Sequence, residues 1–127
     1  MTISMKKIIL ACLLATSAAS AFAEWTKVSE SYDTNFYIDF QAIRKDSGLS
    51  NVWVIHDLKQ RQQGIMSMRA RYEFDCGAEK IRTLFLSAHS EPMVGGKTLV
   101  SGSPNGTGTD IPPGTPFETI LKIVCAK

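Results

Sequence analysis

The chain has 127 residues, of which 44% are hydrophobic, 20% charged and 9% aromatic, and its formal net charge is +2. That length suits one domain, and that composition excludes a disordered chain. The 9 Gly and 5 Pro fall in clusters without a period, which excludes collagen-like sequence, and no internal repeat argues for a solenoid or propeller.

The N-terminus reads as an export signal. Lys6 and Lys7 supply a positive start, Ile8 to Leu14 an apolar run, and Ala21 and Ala23 the small residues of a cleavage site. Residues 1–23 are expected to be removed, leaving 24–127 as one domain with no transmembrane helix, in the periplasm or at the cell surface. Cys12 loosely fits a lipoprotein cleavage box, but the apolar stretch before it is shorter than the roughly 7–15 residues that a signal's apolar region needs. Removing Lys6 and Lys7 leaves basic and acidic residues equal in number. The electrostatic case for nucleic acid or an anionic membrane then disappears. Cys76 and Cys125 remain, and an even pair in an exported domain reads as a disulfide. There is no CxxC spacing, so neither a metal site nor any other cofactor is expected.

Trp25 to Ser31 reads as an edge strand. Asn35 to Phe40 alternates, with Phe36, Ile38 and Phe40 on one face. Gln41 to Lys45 is expected to be a turn or a single helical turn, and Asp46-Ser47-Gly48 a tight turn. Ser50 to Lys59 is a strand with Val52, Trp53, Val54 and Ile55 as its apolar centre, followed by a polar connection at Gln60 to Gly64. Residues 66–76 carry the clearest pattern. Met66, Met68, Ala70, Tyr72, Phe74 and Cys76 alternate with Ser67, Arg69, Arg71, Glu73 and Asp75. One apolar face and one charged face predict an antiparallel strand covered on one side only.

Gly77 opens a turn, and Ile81 to Ala88 returns as the second arm of a hairpin. After Gly95-Gly96, Lys97 to Ser101 makes a last short strand. Ser101 to Pro116 has only loop-forming residues apart from Ile111, which predicts a long mobile loop. Thr115, Pro116 and Glu118 then form a capping-box pattern that opens a helix. Its stripe is Phe117, Ile120, Leu121, Val124 and Cys125. The elements add up to an α+β fold: one antiparallel, meander-like sheet of about five or six strands backed by a C-terminal helix. Cys76 and Cys125 both fall on inward faces, so their bond would staple the helix to the sheet, contributing roughly 4 kcal/mol through loop closure.

No catalytic constellation emerges, so the protein is not expected to be an enzyme. His56 is followed by Asp57, but adjacent strand residues point to opposite faces, and no nucleophile signature accompanies them. His56 and His89 are expected to be structural. The glycines at 95, 96, 102, 106 and 108 lack the spacing of a phosphate-binding loop. Arg69, Arg71 and Arg82 are expected on the outward face of the hairpin, where they could dock an acidic segment of a protein partner.

Several stretches in this order carry a family resemblance. Trp25, Lys27 and Val28 follow the signal; Phe36-Tyr37-Ile38-Asp39 precedes Ile43-Arg44-Lys45; Val52-Trp53 lies centrally. Tyr72 to Cys76 reads YxxDC, and Pro113-Gly114-Thr115 opens the helix that carries Val124-Cys125. The sequence resembles the surface-adhesin protein E family of bacterial exported proteins over nearly all of residues 24–127. The resemblance implies a small antiparallel sheet backed by a helix and bonded to it, and a non-enzymatic module that binds host extracellular-matrix or plasma proteins. The alternatives are an envelope-associated protein that self-associates through its sheet edge, as a homodimer for instance, and behind it a small-ligand carrier or an enzyme.

Overall fold

The structure, a computed structural model, describes residues 23–126. The expected signal segment and Cys12 lie outside the described residues, Ala23 apart. Eight strands follow in chain order: β1 (Thr26–Glu30), β2 (Thr34–Ile38), β3 (Arg44–Asp46), β4 (Leu49–Gln62), β5 (Ile65–Asp75), β6 (Lys80–Glu91), β7 (Gly95–Gly102) and β8 (Thr109–Asp110). One helix, α1 (Pro116–Val124), closes the chain. The strands form one antiparallel sheet in the order β1-β2-β4-β5-β6-β7, with β3 added to β4 and β8 to β6.

The sheet exceeds the expected five or six strands because two short strands are hidden in segments that read as turn and loop. Phe40–Ala42 makes the single helical turn, and Arg44–Asp46 then pairs with Leu49–Asn51. Thr109 and Asp110 pair with Ile81 and Lys80, so the stretch between Ser101 and Pro116 is stitched to the sheet partway along. Neither short strand has apolar alternation, because both bury nothing.

Even-numbered positions of β2, β4 and β5 share one face: Phe36 lies opposite His56, Val52 opposite Tyr72, and Val54 opposite Ala70. Helix α1 covers that face with Ile120, Leu121 and Val124, and Phe117 joins at its start. Phe74, Ile38, Val54, Ile120 and Val124 are fully buried there. Cys76 and Cys125 are bonded, with Cα atoms 5.6 Å apart, which fixes the end of α1 to the end of β5. Ser50 adds a polar tie by donating from Oγ to the carbonyl of Val124 at 3.0 Å.

The helix starts where expected, with Thr115 as N-cap and Pro116 after it, but the capping box does not form. The Thr115 hydroxyl donates backward to the carbonyl of Pro112 at 2.8 Å, so it is not accepting from the first turn. Glu118 reaches past the N-cap and accepts from the N–H of Gly114 at 3.4 Å. Both side chains therefore fasten the turn that enters the helix.

β6 holds the main irregularity. Tyr72 pairs with Thr83, but its neighbour Arg71 pairs with Phe85, so Leu84 is an extra residue in the ladder. Such a bulge switches which residues face which way. Before it Ile81 packs on the helix-side core; after it Leu86 does. Phe85 is thereby turned to the opposite face.

Candidate protein-binding face

The face away from α1 carries the odd-numbered residues of β4 and β5. The ladder sets them in rows. Arg44, Asn51, Glu73 and Arg82 lie in register across four strands, and Trp53, Arg71 and Phe85 form the next row. The sequence pattern predicted a purely solvated face. In the structure Ile55 and Ser67 are buried on this side, and Arg69 is half-buried.

Arg69 explains part of that cover. Its guanidinium carbon sits 4.7 Å from the centre of the Trp53 ring and 5.9 Å from that of Phe85. The two rings meet edge to face, 5.7 Å apart. A cation over an indole is held by the ring quadrupole, and the aliphatic stem of the arginine buries itself against the strand. Arg71 stands exposed beside this group, and it has no carboxylate within ion-pair distance among the described residues. Arg82 differs, because Glu73 holds it at 3.0 Å. Of the three arginines singled out from sequence, the structure thus places Arg69 and Arg71 around the aromatic pair and neutralises Arg82 at its border. Trp53, Phe85, Arg44 and Asn51 complete the same surface and were not picked out as site residues by pattern. The one trace of them was Trp53 inside the unbroken run Val52–Ile55, since apolar residues on both parities mean that both faces gain some cover.

The far end of this face is closed by the turn at Pro92–Val94. The N–H of Met93 donates to Asp57 at 2.8 Å, and that of Val94 to the Ser67 hydroxyl at 2.8 Å. Those bonds hold Val94 at φ 64, a left-handed conformation that a β-branched residue rarely adopts. Asp57 is thereby committed to the turn and does not face His56. His89 lies under this end, with Nε2 2.7 Å from the Ser87 hydroxyl. Burial, and then the positive charge of Arg69, holds its imidazole below the ordinary range.

His56 belongs to the other face. It packs edge-on to Phe36 with centroids 4.9 Å apart, and a 2.9 Å hydrogen bond joins its Nε2 to the Tyr72 hydroxyl. Burial lowers the His56 pKa to about 4 and pushes that of Tyr72 up to about 12. A pair so far from neutrality stays uncharged at physiological pH and serves packing. Three buried side-chain polar atoms lack a hydrogen-bond partner among the described residues: Oδ1 of Asn35, Oδ1 of Asn51 and Nε of Arg69. All three belong to the arginine face.

A single sheet with a bonded helix on one side and a cationic, aromatic surface on the other has the layout of a small binding module. The surface-adhesin protein E family matches residues 25–126, and the chain belongs to that family. Membership points to an adhesin-like surface protein rather than an enzyme. Two solved structures of Haemophilus influenzae protein E share the fold with a TM-score of 0.61 at 14% identity. They align with 84% of this chain and with 91% and 87% of their own. Protein E from non-typeable Haemophilus influenzae has a TM-score of 0.59 at 15% identity, covering 85% of this chain and 79% of its own. No curated protein matches the chain in sequence. Among the described residues no helix is long and apolar enough to cross a membrane.

Proposed function

We propose that the protein is exported by cleavage before Glu24 and acts without catalysis, gripping a protein partner through the face that carries Arg69 and Arg71. The observation that carries this reading is Arg69 held over Trp53 and against Phe85, with Arg71 exposed beside it. Tryptophan and arginine are enriched among the few residues that carry most of the binding energy of protein interfaces. Family membership favours extracellular-matrix or plasma proteins as the partners. The test is dose-dependent binding of the purified protein to a panel of immobilised matrix and plasma proteins. Arg69→Glu with Arg71→Glu should abolish binding. Because Arg69 packs over Trp53, the decisive variant is Arg71→Glu alone, which at an exposed side chain should weaken binding strongly at an unchanged melting temperature. Undiminished binding by that variant would refute the assignment of the face.

A second reading rests on β7. It pairs with β6 alone, and Leu99 and Val100 are exposed along it. An open strand edge can recruit another strand, including that of a second copy. A mass that rises with concentration, and falls back on Val100→Lys, would support such a homodimer.

A further inference from the structure

We infer that the open end of the arginine face is a receptor for one acidic side chain, a glutamate or aspartate of the protein partner, seated between Arg44, Asn51, Trp53 and Arg71. The inference rests on the reading of this face as the partner-binding surface and names the chemistry that it selects. These four residues, with Ala42 and Val52, line a pocket of about 190 Å³, a space on the scale of one side chain. No carboxylate lines it. The nearest one in the ladder, Glu73, is held by Arg82 and lies in the adjoining row. Arg44 spends one terminal nitrogen on the carbonyls of Gln41 and Ile43, which fixes its stem and leaves the other edge of the fork for a ligand. Arg71 makes no ion pair among the described residues. Two guanidiniums at one small pocket suit a carboxylate, which each can meet in a planar two-point contact.

Asn51 supplies the second half of the recognition. Its buried Oδ1 has no donor among the described residues, and a buried acceptor left so costs free energy. An occupant that presents a donor close to its carboxylate would complete the bonding of this side chain. An acidic residue in an extended segment does so with its own backbone N–H. The indole of Trp53 forms the apolar wall along which the methylene of that side chain would lie.

The test uses the exported, disulfide-bonded protein and a blocked oligoglutamate peptide, with oligoglutamine and heparin as the comparison probes. Binding is read by tryptophan emission and by calorimetry. Oligoglutamate should bind saturably and oligoglutamine should not. Arg44→Gln and Arg71→Gln should each weaken the peptide by about tenfold. Both side chains are exposed, so melting temperatures should hold. Lys122→Gln, on the helix, should change nothing. Absence of oligoglutamate binding, or binding by the two arginine variants as tight as the parent's, would overturn the inference. Binding of heparin alone would overturn it in favour of a sulfated glycan. The matrix-protein panel separates the two levels. Capture of a panel protein that ignores both variants removes the pocket and spares the wider reading. Peptide binding without any capture does the reverse.

Discussion

The two faces of this sheet come from the same strands, residue by alternate residue, yet only one of them leaves buried polar atoms without partners among the described residues. On the helix side the polar groups that enter the core are answered within the chain: His56 by Tyr72, and Ser50 by the carbonyl of Val124. On the arginine side, Arg71 stands without a counter-charge among the described residues, and three buried polar atoms lack partners. A buried group answered internally adds to stability, and a buried one left open lowers it, a cost that tends to fall at functional sites. The contrast separates what the molecule uses to fold from what it offers to a partner.

The sharpest way to break that contrast is to truncate one residue from each side. Phe74 is fully buried under the helix, and Phe74→Ala should cost about 3–5 kcal/mol. Arg71→Ala should stay within about 0.5 kcal/mol. Denaturant midpoints decide between them, and equal losses would mean that the faces are wrongly assigned. Next in size is the Cys76–Cys125 bond, which ties the helix to the sheet. Cys76→Ser with Cys125→Ser should lower stability by about 2–5 kcal/mol, and thiol labelling of the denatured, unreduced parent should find no free thiol.

Acid acts on the helix side through His56 and on the arginine side through His89. Burial lowers the folded-state pKa of His56 from 6.5 to about 4, so the unfolded chain takes up the proton first. Stability is therefore full above pH 6.5 and declines as pH falls toward about 4, by on the order of 3 kcal/mol. Chemical denaturation across that range should show the decline, and His56→Gln should reduce it, with His89 contributing what remains. A decline unchanged in His56→Gln would place the titrating group elsewhere. The smallest effects make the finest comparison, between neighbours on opposite faces. Ser50→Ala removes an answered hydroxyl and should cost about 1 kcal/mol, whereas Asn51→Leu removes an unanswered amide and should be neutral or stabilising. Equal destabilisation by both, in thermal melts, would remove the distinction between the faces.

How much of this was legible in sequence follows from the same alternation. β5 could be read directly, because its two faces differ in chemistry at every step from Ser67 to Asp75. The helix stripe and the paired cysteines were equally plain. Trp53 was not, because Val52 to Ile55 is apolar on both parities and so hides which residue belongs to which face. Arg44 read as part of a turn, since a three-residue strand that buries nothing leaves no pattern. Glu73 and Arg82 were both visible, but their pairing depends on a cross-strand register that no local pattern encodes. The capping box failed for a similar reason: Thr115 and Glu118 are in place, but the geometry of the preceding Pro-Gly turn redirects both.

The extra residue at Leu84 works as a phase slip. An unbroken β6 would have to satisfy one alternation along its whole length, and a change at either end would constrain the other. With the slip, the segment before it and the segment after it keep separate rhythms, so each can drift in sequence without forcing the other out of step. The position that gains from this is 85, where an aromatic ring is delivered to the outer surface while Leu86 continues to fill the interior. Deleting Leu84 would remove the slip and join the two segments in one regular alternation, with Thr83 and Leu86 on the helix side and Phe85 still turned outward.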